Sequence, residues 1–132
     1  MHCSPTRRAA VDGAQIDPRL GSWDLGSWSG GLLEDLPAAD LAAWRRDPDW
    51  AAHGGESLRT LHERVGAVLR DWHGASGRRV ASTHAGVVRS AVLWALQAPL
   101  AASWDVDVQP SSGTELHSTP TGWRLVRLGC PL

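Results

Sequence analysis

The stretch "RVASTHAGVVRS", Arg79 to Ser90, sets His84 between a short apolar run and a second one that opens with Ala85-Gly86. A strand leading into a helix here puts the histidine at the carboxyl end of the strand, where ligands of open α/β sheets collect. The helix offers an anion unpaired backbone N–H groups and a partial positive charge. Histidine titrates near neutral pH, and a nearby negative charge favours its charged form. His84 therefore has two readings: a charged donor that clamps an anion, or a satisfied histidine at the top of a core.

The other reactive residue types exclude more than they suggest. His53, His62, His73 and His117 show neither His-Glu-x-x-His nor Cys/His ligand spacing; no metal and no cofactor are expected, and these histidines are placed at the surface. Cys3 and Cys130 lie near opposite ends, with no Cys-x-x-Cys and no secretory leader before the first. That argues against a disulfide framework or zinc ribbon and for a cytoplasmic setting. Among the eight Trp, Trp44, Trp72 and Trp94 fall at apolar helical positions and read as core. Trp23 and Trp28 lie in a Gly/Ser-rich stretch and are candidates to wall a substrate site.

These groups need a scaffold, and 132 residues suffice for one compact domain. At this size it would bury roughly two-thirds of the surface its unfolded chain exposes. Thirteen basic residues, all Arg, and fourteen acidic ones are interspersed, for a formal charge of −1. Such a field gives no reason to expect nucleic acid or an anionic membrane as partner. No apolar run approaches the roughly 20 residues that cross a bilayer. The absence of Lys, Phe, Tyr and Asn reads as codon bias.

Ser4-Pro5 reads as the start of a short helix stopped by Gly13, and Asp17 to Gly31 as loop, with Gly-Ser-Trp occurring twice. Leu32 to Arg46 predicts one or two short helices broken at Pro37. The clearest helix follows Gly54-Gly55: Leu58, Leu61, Val65, Val68, Leu69 and Trp72 share one face, with Arg59, Glu63, Arg64 and Arg70 opposite. Val80 to Ser82 predicts a buried strand and Gly86 to Gln97 a helix. The tail alternates as three strands, "WDVDV", "TELHS" and "WRLVRL", separated by "QPSSG" and "TPTG" turns. The expected fold class is α/β.

In their order along the chain, "CSPTRRA", "LGSWDLGSWSG", "GGESLRTLHERV" and "STHAGVVRS" resemble the histidine phosphatase superfamily, the phosphoglycerate mutase-like phosphatases, from Cys3 to Leu128. The resemblance implies a three-layer α/β/α sandwich. It also implies hydrolysis of phosphomonoesters of small phosphorylated metabolites through a phosphohistidine. It places phosphate binding on Arg8, the Arg of the Ser-Pro-x-x-Arg-Ala segment, and on His84 in the same pocket. Glu56 and Ser57, from the Gly-Gly-Glu-Ser turn, become supporting residues. The chemistry suits these types: a transferring phosphoryl group spreads charge over its equatorial oxygens, and a guanidinium can bind two at once. Arg7 is expected to be solvated.

Three departures qualify the implied activity. The family's first strand ends in Arg-His-Gly, whose histidine attacks phosphorus; no Arg-His-Gly occurs in this sequence. Residues 1–132 are accordingly expected to form a single, incomplete domain lacking the family's first strand and helix, and probe compounds should find it inactive alone. A non-catalytic phosphate-binding relative and a fragment of a longer gene product are the alternatives. The usual proton-donating carboxylate falls at Ser22, which makes Asp24 the substitute acid or else a turn residue bonding its own backbone. The interval from Arg8 to Leu20 is also short, so the helix carrying Arg8 is expected to be clipped. Because the first strand lies mid-sheet by resemblance, two edges would face each other across a gap, opening a route to homo-oligomers.

Overall fold

The computed structural model describes residues 1–5, 9 and 11–132. Arg8, and most of the helix expected after Ser4-Pro5, lie outside the described residues. Three short strands, β1 (His2–Cys3), β2 (Gln15–Ile16) and β3 (Ala81–Ser82), form a parallel sheet in the order β2-β1-β3. β1 is central: His2 and Ser4 donate to the Val80 and Ser82 carbonyls at 2.7 and 2.9 Å, and Gln15 and Asp17 donate to those of Met1 and Cys3, both at 3.0 Å. Its Cys3 is buried, while Ile16 and Val80 beside it are exposed.

Among the described residues, three α-helices follow from the expected patterns. Pro37 starts α1 (Ala38–Arg46). α2 (Leu58–Trp72) is capped by Ser57, whose side chain accepts from the Thr60 amide. Its apolar face buries Leu58, Leu61, Val65, Val68 and Leu69 against α3 (Ala85–Leu96), which contributes Val87 to the same cluster. Trp94 of α3 lies on Gly66 of α2, where a Cβ would stand 2.3 Å from the indole Cζ2. The chain ends in an antiparallel hairpin, β4 (Ser112–Thr119) and β5 (Gly122–Pro131), turned at the expected "TPTG". This mixed arrangement with a parallel sheet is the α/β class read from the sequence.

Two strand expectations need correction. "WDVDV" is not a strand: after Pro99 a 3-10 run, Leu100–Asp105, carries Trp104 against the core. The following Val106 carbonyl is taken at 2.8 Å by Arg89 Nε of α3 instead of by a neighbouring strand. The strand at Val80 to Ser82 exists but is not buried, Val80 being 40% exposed. Among the described residues it has a strand on one side only, and the hairpin forms a separate sheet. Because Val80 and Ser82 turn their carbonyls to β1, the alternation of strand backbone turns the polar groups of Ala81 outward, to an open edge.

Candidate active site

Parallel pairing of β1 with β3 sets their carboxyl ends side by side. Ser4 follows β1 and His84 follows β3, and the Ser4 Oγ lies 2.9 Å from His84 Nε2. Ser4 is only 1% exposed. His84 is the N-cap residue of α3 in extended conformation, and its ring makes no side-chain cap bond but meets Ser4. This junction is the one expected from the sequence, with an imidazole at a helix N-terminus.

The loop after the 3-10 turn Pro18–Leu20 is fastened to this junction. Thr83 Oγ1 donates to the Leu20 carbonyl at 2.7 Å. A Cβ on Gly86 would stand 3.7 Å from Trp23 Cβ, so the loop passes against the first turn of α3. At the turn's entrance the Asp17 carboxylate binds Arg19, which also pairs with Asp71; Arg19 holds the Asp17 carboxyl below its ordinary range.

Asp24 and Glu56 meet here. The Asp24 amide donates to Glu56 Oε1 at 3.0 Å, the Glu56 amide donates to the Asp24 carbonyl at 2.8 Å, and Trp23 Nε1 donates to the Glu56 carbonyl at 2.9 Å. Asp24 Oδ1 accepts from the Gly26 amide at 2.9 Å, the geometry of a turn residue, while the side chain stays at the surface. Backbones approach closely: a Cβ on Gly55 would stand 2.1 Å from the Asp24 carbonyl oxygen, and one on Gly26 2.1 Å from that of His53. Only glycine fits at either place.

The structure thus brings His84 together with Ser4, and Asp24 together with Glu56 on a loop beside α3. Ser57 caps α2. Two residues of this assembly had no assigned role in the sequence. Ser4 carried a signal only as a helix start. Arg64 lies opposite the apolar face of α2 by helical spacing, yet its guanidinium turns inward to Glu56, at 2.6 and 3.0 Å, and to the carbonyls of Arg19 and Ser22, at 2.7 and 3.0 Å. Its partners lie eight to 45 residues away, beyond any helical spacing.

Two histidines expected at the surface are also corrected. His53 is 4% exposed, packed edge-on to Trp28 and Trp50, with Nδ1 accepting from the Gly55 amide at 2.9 Å. His62 stacks on Trp94, ring centroids 4.8 Å apart, and burial pushes its pKa down. Trp23 and Trp28 join Trp44, Trp50 and Trp104 in one aromatic cluster. These rings brace the loop from behind, and burying them supplies packing that a Gly/Ser-rich segment lacks.

Comparison with known proteins places the chain in a family. Glucosyl-3-phosphoglycerate phosphatase from Mycobacterium tuberculosis is 34% identical over 101 residues, an alignment covering 66% of this chain and 45% of the relative. The matched segment therefore spans less than half the length of that relative. A mycobacterial glucosyl-3-phosphoglycerate phosphatase solved with inorganic phosphate superposes with a TM-score of 0.80 at 25% identity, covering 99% of this chain and 76% of that one. The same kind of enzyme complexed with VO3 gives 0.76 at 27% identity, with 98% and 75% covered. The histidine phosphatase superfamily (branch 1) matches residues 3–131. With a parallel sheet that presents His84 beside Ser4, and with a match over nearly its whole length, the chain belongs to the histidine phosphatase superfamily.

Proposed function

We propose that this chain supplies the phosphoryl-gripping part of a phosphomonoesterase that works through a phosphohistidine on a small phosphorylated metabolite. The observation that carries the reading is the His84–Ser4 pair at the N-terminus of α3, at the carboxyl ends of two adjacent parallel strands. His84 and Arg8 would bind the phosphoryl oxygens, Asp24 would protonate the leaving oxygen, and Glu56 and Ser57 would support the loop and helix around them. The nucleophile would come from a strand ending in Arg-His-Gly, a motif the 132 residues do not contain. The outward-facing backbone of Ala81 supports a seat for such a strand beside β3. Glucosyl-3-phosphoglycerate, named for the relatives, is the first substrate to test.

The absence of Arg-His-Gly from the sequence favours one second reading, a phosphate-binding relative without turnover. The experiment adds an N-terminal strand ending in Arg-His-Gly from a related phosphatase and measures hydrolysis of p-nitrophenyl phosphate, with phosphohistidine trapped by acid-free quench. Turnover that appears with the added strand, and is lost in His84→Ala, supports the enzyme. A well-folded, phosphate-binding protein that forms no phosphohistidine supports the second reading instead. The open edge of β3 also gives copies of the chain a route to associate, which the added strand should close.

A further inference from the structure

Among the described residues, the Arg64 guanidinium joins three others, Glu56, Arg19 and Ser22. Its Nη1 holds the Arg19 carbonyl and its Nη2 the Ser22 carbonyl. Its Nε and Nη2 bind the two oxygens of Glu56, a fork-on-carboxylate geometry whose planar fit lysine lacks. The pair is largely shielded, with side chains 22% and 13% exposed. Glu56 passes the constraint on, since the oxygen that meets Arg64 Nη2 also accepts the Asp24 amide. Both ends of the segment from Arg19 to Asp24 are therefore tied to one guanidinium of α2, directly at one end and through Glu56 at the other. Thr83 bonds the Leu20 carbonyl and Gly86 lies against Trp23, which keeps the segment beside the His84 turn.

We propose that Arg64, acting through Glu56, is a positioning residue for the proton donor of the proposed reaction: it fixes the loop that carries Asp24 against α2 and the first turn of α3. The inference rests on the phosphomonoesterase reading. In that reaction the nucleophilic histidine nitrogen forms a bond to phosphorus, the bond from phosphorus to the leaving oxygen breaks, and that oxygen takes the electron pair. The proton of the Asp24 carboxyl then neutralises it. An alkoxide leaving group needs that proton, whereas p-nitrophenolate, the anion of a much stronger acid, leaves without it. Misplacing the donor therefore penalises alkyl esters selectively.

The test uses two sets of proteins. In the 132-residue chain, Arg64→Met and Glu56→Gln are compared with the parent by amide hydrogen exchange. Exchange over residues 20–26 should quicken at least tenfold while the amides of α3 are unchanged; unchanged exchange over 20–26 overturns the proposal. In the protein carrying the added Arg-His-Gly strand, kcat/KM for glycerol phosphate relative to p-nitrophenyl phosphate should fall tenfold or more in Arg64→Met, and the pH limb set by the donor should flatten. Arg64→Lys, which keeps the charge but not the fork, should fall between parent and Arg64→Met, and it replaces Arg64→Met if that variant does not fold. Equal losses on both esters make Arg64 merely structural and overturn the proposal alone. A parent with no turnover on either ester overturns the phosphomonoesterase reading, and the donor role with it.

Discussion

Ser4 Oγ and His84 Nε2 lie 2.9 Å apart across 80 residues of sequence, and the pairing of β1 with β3 is what closes that distance. The hydroxyl is buried, so it restricts the ring's orientation with little competition from water. Ser4→Ala should cost about 1 kcal/mol of stability, the usual net worth of one such bond. It should also weaken vanadate binding several-fold by releasing the ring. Urea denaturation and calorimetric titration with vanadate measure the two effects. Vanadate affinity equal to that of the parent would mean that Ser4 does not orient His84 for an anion.

Arg8 is expected to bind the phosphoryl group and Arg7 to be solvated. Titration with vanadate should accordingly show a loss of tenfold or more in Arg8→Ala and little change in Arg7→Ala, since hydrogen bonds to charged groups are worth about 1.5–3 kcal/mol. Equal losses in the two variants would point to diffuse charge rather than a pocket.

Gly66 reverses an ordinary rule. Alanine in place of glycine inside a helix normally stabilises by about 1 kcal/mol. Here the new Cβ would stand 2.3 to 2.7 Å from three atoms of the Trp94 indole. Relief would lift the ring from its 2.7 Å bond to the His62 carbonyl. Gly66→Ala should therefore destabilise by about 1–3 kcal/mol, the range for overpacking. In a Trp94→Leu background the same substitution should be neutral or stabilising, a coupling that urea denaturation of the four proteins would measure.

His62 makes stability depend on pH. Burial lowers its pKa in the folded protein below the ordinary 6.5, so below that value the unfolded chain binds the proton more readily. Its effect is nil when the ring is neutral in both states, above the unfolded pKa. As pH falls below about 6.5 stability declines, and the decline levels off once the folded-state pKa is passed. His62→Phe, which retains a ring on Trp94, should flatten this part of the stability profile. Thermal unfolding between pH 5 and pH 8 gives the comparison, and an unchanged slope in His62→Phe would assign the effect to other groups.

Features that depend on chain neighbours were legible in the sequence. The face of α2 appears as Leu58, Leu61, Val65, Val68 and Leu69 because helical geometry repeats every 3.6 residues whatever the helix packs against. The hairpin turn and the strand-to-helix junction at His84 are local in the same sense, and ordered motifs carried the family resemblance. What tertiary structure decided were the partners. Val106 looked like strand because Asp and Val alternate, yet Arg89 takes its carbonyl from across the fold. His53 looked exposed beside Gly54, and Trp28 and Trp50 bury it. Arg64 kept its helical position while its long side chain found carbonyls 42 and 45 residues away. Periodicity follows from covalent geometry and is written along the chain, but a hydrogen bond or a buried ring is settled only when distant segments meet and water is excluded between them.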